Sequence, residues 1–192
     1  MQTLVLTGYI GSGKSAVGAL LRERGIPVYD SDARTKALYD EQPDLVAAME
    51  KALDVPLRTA GGRLDRKALA AVIFKDSQAR EAVEKLVYPA VLADFRNWRA
   101  GQRDVPFVVL ESAVILSKPV FDGLADKVVL VTAPRDVRLR RVMARDGLSS
   151  SAVARRMAAQ KIPLEKVDAV ICNDGTPEQL REAVERVFFP KK

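Results

Sequence analysis

The sequence predicts an α/β protein built on a doubly wound, parallel, five-stranded sheet, and three observations predict it. Short apolar, β-branched runs recur along the chain at Thr3-Leu4-Val5-Leu6-Thr7, Pro106-Phe107-Val108-Val109-Leu110-Glu111 and Lys127-Val128-Val129-Leu130-Val131-Thr132. Segments apolar at helical spacing alternate with them, which is the pattern of a parallel sheet covered by helices. The first strand-to-helix junction spells Gly8-Tyr9-Ile10-Gly11-Ser12-Gly13-Lys14-Ser15, which fits G-x-x-x-x-G-K-[ST] in the strand–loop–helix context where that pattern has physical meaning.

This junction reads as a phosphate-binding loop. Glycines let backbone N–H groups converge on phosphate oxygens with no Cβ in the way, and the helix that follows, Ala16 to Arg24 closed by Gly25, points its positive end at the same place. The positions expected to hold nucleotide are Gly8, Gly11, Ser12, Gly13, Lys14, Ser15 and Ala16. Lys14 reaches the β- and γ-phosphates of ATP, and the Ser15 hydroxyl is the expected ligand of Mg²⁺.

Next comes Ile26-Pro27-Val28-Tyr29, a short apolar run ending in Asp30-Ser31-Asp32. Carboxylates past the carboxyl end of a strand fall where open parallel sheets bind ligands. One of the two is expected to be structural or metal-linked, capping a helix that begins near Ala33, and the other chemical. From residue 44 to about 103 the strands disappear. Helical patterns cover Asp44 to Leu53, Asp65 to Phe74 and Ser77 to Gln102, with a turn at Gly61-Gly62. Pro89 lies inside the longest, so a kink, or two helices meeting at Tyr88-Pro89, is expected. Such an insertion in a core of residues 1–43 and 104–192 suits a subdomain over a second substrate, or plain packing on the sheet.

The strand 106–111 returns to the core, with Glu111 at the same sheet edge as Asp30 and Asp32. After strand 127–132 comes a helix carrying Arg135, Arg138, Arg140, Arg141 and Arg145, then Asp146-Gly147-Leu148 and a helix from Ser149 to Gln160 with Arg155 and Arg156. Guanidinium forks match phosphate oxygens, so residues 140–160 read as an arginine-rich lid. A strand at Ala169-Val170-Ile171-Cys172, a turn at Asn173-Asp174-Gly175 and a helix from Pro177 to Phe188 close the chain.

Composition narrows the chemistry. Of 192 residues none is histidine and one is cysteine, which removes Ser/His and Cys/His catalysis, His-ligated zinc and any intrachain disulfide. Proton transfer then falls to a carboxylate, a lysine, a tyrosine or the substrate. Cys172, in an apolar run, is expected in the core. No apolar run reaches the roughly 18 residues of a membrane span, and no signal-peptide pattern opens the chain, so a cytoplasmic protein without a membrane partner is expected. The net charge of +6 invites nucleic acid, but aromatics are only 6% and no aromatic-basic segment accompanies them. The cations suit a polyphosphate better, and no nucleic-acid partner is expected.

Taken in order, Thr7 to Ser15, Asp30-Ser31-Asp32, Asp65-Arg66-Lys67-Ala68-Leu69, Tyr88-Pro89, Arg140 to Asp146, Ala158-Ala159-Gln160 and Val170 to Gly175 resemble the dephospho-CoA kinase family, among the kinases built like nucleoside-monophosphate kinases. The resemblance runs through nearly the whole chain. It implies transfer of the γ-phosphoryl of ATP to the 3′-hydroxyl of dephospho-CoA, the last step of coenzyme A synthesis. It also implies Lys14, Asp32, Arg141 and Arg145 as catalytic groups, with Asp32 serving the acceptor hydroxyl. Arg66 and Tyr88 fall on the substrate side, and Asn173 and Gly175 near the adenine of ATP. Two stretches depart from the family pattern. Tyr88 stands where histidine is usual, and Ala113-Val114-Ile115-Leu116-Ser117 replaces a Pro-Leu-Leu-Phe-Glu-like run.

The nearest rivals are other small-molecule kinases with the same loop, such as shikimate or nucleoside-monophosphate kinases. Shikimate kinases carry a mid-chain Gly-Gly-Gly turn that Gly61-Gly62 does not reproduce. A GTP-driven switch would need Asn-Lys-x-Asp and Asp-x-x-Gly, and neither string occurs. A basic nucleic-acid-binding protein with a nucleotide site is the alternative from another class.

Overall fold

The computed structural model describes residues 1–190. Its elements run β1 (Gln2–Gly8), α1 (Lys14–Glu23), β2 (Val28–Asp30), α2 (Ser31–Glu41), α3 (Pro43–Leu53), α4 (Arg66–Lys75), α5 (Ser77–Ala100), β3 (Phe107–Glu111), β4 (Lys127–Thr132), α6 (Arg135–Asp146), α7 (Ser150–Ala159), β5 (Ala169–Cys172) and α8 (Pro177–Phe188). They fall into two compact units, residues 1–30 with 102–190, and residues 31–101.

The first unit holds the sheet, in the order β2-β3-β1-β4-β5 with every neighbouring pair parallel. This is the doubly wound architecture that the alternation of strands and helices predicts. The three central strands are buried along nearly their whole length, which is why they read as unbroken apolar runs. On one face Leu4, Leu6, Phe107, Val109, Val129 and Val131 pack against Val17 and Leu21 of α1 and Leu180, Val184 and Phe188 of α8. The ring of Phe188 stacks on Phe107 with centroids 6.1 Å apart. Helix α8 starts where the sequence tells it to: Thr176 and Gln179 form a reciprocal capping box with Pro177 in the first turn.

At the edge, β5 alternates. Ile171 is buried while Val170 and Cys172 are exposed. The expectation that Cys172 is a core residue is therefore corrected: an edge strand covered on one face sends every second side chain outward, and a four-residue apolar run does not distinguish edge from centre.

The second unit is helical and begins at Ser31, earlier than the boundary near residue 44 read from the sequence. Helix α2 packs on α3 and α5, and its Leu38 is buried. Arg34 fixes it further, donating to Asp94 of α5 at 2.8 and 3.0 Å and to Glu41 at 2.9 and 3.2 Å. Helix α5 runs through Pro89 as one element, so two helices meeting at Tyr88-Pro89 are not formed. A mid-helix proline costs about 3 kcal/mol. Against it, Val83, Val87, Val91, Leu92 and Phe95 are buried on both sides of the proline, each contributing about 1.5–3 kcal/mol. Among the described residues no helix is long and apolar enough to cross a membrane.

Candidate active site

The site is built outward from the loop between β1 and α1. Its chain turns back through a hydrogen bond from Ser12 N to Tyr9 O of 3.0 Å. Gly11 and Gly13 hold φ of 77° and 93°, values that an L side chain adopts only under strain. Space demands glycine there as well. A Cβ on Gly11 would lie 2.6 Å from the Arg138 carbonyl and 2.8 Å from a Val142 methyl, and one on Gly13 would run into the Asn173 carboxamide.

Helix α1 then starts with no side-chain cap and no acidic residue in its first turn. An uncapped start leaves N–H groups and the positive end of the helix dipole for an anion. Lys14 Nζ donates to the Gly8 carbonyl at 3.1 Å. The Ser12 hydroxyl is buried with no hydrogen-bond partner among the described residues. The Tyr9 ring carries the Arg138 guanidinium at 4.9 Å, so the outer side of the loop is packed against α6.

Beside the loop, Asp30 and Glu111 face each other in register at the ends of β2 and β3. Ser15 Oγ donates to Glu111 Oε1 at 3.1 Å. Burial, and then the Asp30 charge, raise the Glu111 carboxyl above its ordinary range, while the Ser15 hydrogen bond, Lys14 and Arg22 oppose the shift. The donors here are one hydroxyl and two carboxylates, the hard oxygen set that Mg²⁺ prefers. Among the described residues no three His, Cys, Asp or Glu side chains cluster to hold a metal unaided. An ion at this place would complete its coordination with water or with oxygens of a bound substrate.

Two side chains that hold the loop were given no structural role by the motifs. Gln160, just past α7, accepts from Ile10 N at 2.7 Å and donates to Gly8 O at 3.2 Å. Asn173, buried after β5, donates from Nδ2 to Ser12 O at 2.8 Å, and its backbone carbonyl accepts from Arg141 Nη1 at 2.9 Å. The Asn173 amide, expected near adenine, is thus engaged with the loop. A Cβ on Gly175 would meet the Gln179 side chain. Arg145 is exposed and its fork is closed on Asp146, at 2.7 and 3.0 Å, with Arg156 3.6 Å from the same carboxylate. The structure therefore ties Arg141 to the loop through Asn173 and pairs Arg145 with its own neighbour.

The other expected residues lie in the helical unit. Asp32 is exposed in the first turn of α2. Tyr88 donates to Glu84 Oε1 at 3.3 Å. Its hydroxyl is pushed well above the ordinary tyrosine range, first by burial, then by Glu84, with Tyr39 and Asp32 adding to it. Arg66 donates to the Lys36 carbonyl at 3.0 Å and to Asp40 at 3.4 Å, and its charge opposes the rise that burial imposes on Tyr39. Tyr39 thus joins Asp32, Arg66 and Tyr88 in one electrostatic neighbourhood. Its place seven residues after Asp32, two helical turns on, was the available signal.

Residues 2–179 match the family model described as dephospho-CoA kinase. The chain belongs to the dephospho-CoA kinase family. A dephospho-CoA kinase of Geobacter sulfurreducens is 37% identical over 198 residues, covering 98% of each chain. A crystal structure from Thermus thermophilus superposes with a TM-score of 0.80 at 37% identity, over 97% of this chain and 96% of the other. A shikimate kinase from Acinetobacter baumannii, at 15% identity over 98% and 93% of the two chains, reaches 0.54 and shares the fold alone. Membership in the dephospho-CoA kinase family agrees with the ordered set of motifs, and the shikimate-kinase alternative is not favoured.

Proposed function

We propose that this chain transfers the γ-phosphoryl group of ATP to the 3′-hydroxyl of the dephospho-CoA ribose, giving coenzyme A and ADP, in the cytoplasm. The observation that carries the reading is the glycine loop leading into an uncapped α1, with Lys14 beside it, in a chain of this family.

The loop N–H groups and the start of α1 receive the β- and γ-phosphates, and Lys14 exchanges the Gly8 carbonyl for phosphate oxygen. The acceptor oxygen bonds to the γ-phosphorus as the bond to the β-phosphate bridge oxygen breaks. ADP leaves with that electron pair. Asp32 orients the hydroxyl and takes its proton, a task that falls to a carboxylate in a chain with no histidine. Arg141 and Arg145 oppose the charge that spreads over the transferring group, Arg145 by exchanging Asp146 for phosphate. Ser15 would be the protein ligand of Mg²⁺ arriving with ATP, with Asp30 or Glu111 holding a water beside it, and the ion would supply charge neutralisation at the phosphates.

The acceptor is gripped from the helical insertion by Arg66 and Tyr88, the turn through Gly175 borders adenine, and residues 140–160 act as the lid. The test is an acceptor screen with purified protein and Mg·ATP. Dephospho-CoA should be phosphorylated far faster than shikimate or any nucleoside monophosphate; a preference for either of those refutes the assignment.

A further inference from the structure

The side chain of Gln160 meets the phosphate loop as a strand would. Its Oε1 accepts from Ile10 N at 2.7 Å and its Nε2 donates to Gly8 O at 3.2 Å. The orientation of the carboxamide is forced, because a backbone N–H only donates and a carbonyl only accepts. The Gly8 carbonyl has a second donor, Lys14 Nζ at 3.1 Å, so both of its lone pairs are engaged. Gly8 is buried.

These two donors have different fates. Lys14 has to leave Gly8 to reach phosphate, and a buried carbonyl abandoned by its last donor opposes that departure. Gln160 has no phosphate to reach. It stays, keeps Gly8 O satisfied, and holds the Ile10 N–H against a peptide flip. The Ile10 side chain packs against the cluster of Val142, Val153 and Met157 from α6 and α7, so the chain that ends in Gln160 grips the loop at backbone and side chain together.

We infer that Gln160 is a positioning residue for nucleotide: its carboxamide keeps the Gly8 carbonyl and the Ile10 amide in place while Lys14 moves from Gly8 to the phosphates. The inference rests on the proposed ATP site. It separates Gln160 from a residue that merely closes α7, because the cost of removing it falls on ATP and not on the acceptor.

The test uses Gln160→Ala and Gln160→Glu in the full chain, with Kd for a non-hydrolysable ATP analogue, KM for both substrates and Tm. Gln160→Ala should weaken the analogue by about tenfold, with KM for dephospho-CoA changed less than about twofold. Ionised, Gln160→Glu still accepts from Ile10 N but sets a negative charge against Gly8 O. Protonated, it donates there again. Its affinity relative to wild type should therefore recover severalfold between about pH 8 and pH 5, and that of Gln160→Ala should not. Analogue affinity unchanged in both variants, losses shared equally by both substrates, or a pH-independent Glu deficit overturns the inference while leaving wild-type ATP binding intact. Wild-type protein that binds no ATP overturns the proposed site and this inference with it.

Discussion

Asn173 and Gly13 offer a double-mutant cycle in which the structure fixes the sign of the coupling. The Asn173 carboxamide occupies the space that a Cβ on Gly13 would enter. Gly13→Ala therefore suffers twice. Its φ of 93° costs a side chain about 1–2 kcal/mol, and the new methyl overpacks the amide at a further cost of about 1–3 kcal/mol. Asn173→Ala removes the 2.8 Å bond to the buried Ser12 carbonyl, worth about 1–3 kcal/mol. In the double variant the methyl enters the space that the amide vacated, so the overpacking cost vanishes and the φ cost remains. The pair should be less damaging than the sum of its parts by about 1–3 kcal/mol, beyond the roughly 0.5 kcal/mol within which independent sites add. Urea unfolding of the four proteins, read at constant m, measures it. Additivity within error would refute the packing argument, and so would a double variant worse than the sum.

Three further outcomes follow from the site. Lys14→Ala should lower kcat by at least about 10²-fold, the usual cost of a donor aimed at developing charge, while Tm falls little because Gly8 O keeps Gln160 as a donor; near wild-type turnover refutes the loop assignment. Asp32→Asn should lower kcat by about 10²–10⁴-fold with ATP affinity intact, and calorimetric Tm should be unmoved because the residue is exposed; a fall of only a few-fold moves the proton to another carboxylate. Glu111 has a folded pKa raised by burial, so folding favours its neutral form: it costs nothing below its ordinary pKa of about 4.3 and destabilises as pH rises through the folded value. Glu111→Gln should therefore be more stable than wild type at neutral pH, with the gain disappearing in denaturant titrations near pH 4. A gain that persists at that pH refutes burial as its source.

What was legible in the sequence is what chain-local physics writes there. Continuous burial makes β1, β3 and β4 read as apolar runs, and Gly11 and Gly13 are visible because their backbone geometry admits little else. Thr176, Pro177 and Gln179 announce α8 for the same reason: a cap is a contact within one turn. What the sequence does not write is that α2 packs with the helical unit, because Arg34 and Asp94, which join them, are 60 residues apart. Of the kink or two helices expected at Pro89, the two helices do not form: the penalty of a proline is local, whereas the apolar stripe that outweighs it draws its value from partners elsewhere.

Gln160, which reasoning along the chain left without a role, and Asn173, expected near adenine and not against the loop, share one property: each bonds a loop carbonyl more than 150 positions away. No period or spacing records such a contact. A chemical argument could have anticipated it. A loop that turns its N–H groups toward a ligand must turn carbonyls the other way, and buried carbonyls need donors. Ser12 O and Gly8 O are those carbonyls, and a side-chain amide serves them without adding the charge that would compete with Lys14 for phosphate. Asn173 also places its backbone oxygen on Arg141, so one residue supports the loop from behind and holds the guanidinium proposed to oppose charge on the transferring phosphoryl group.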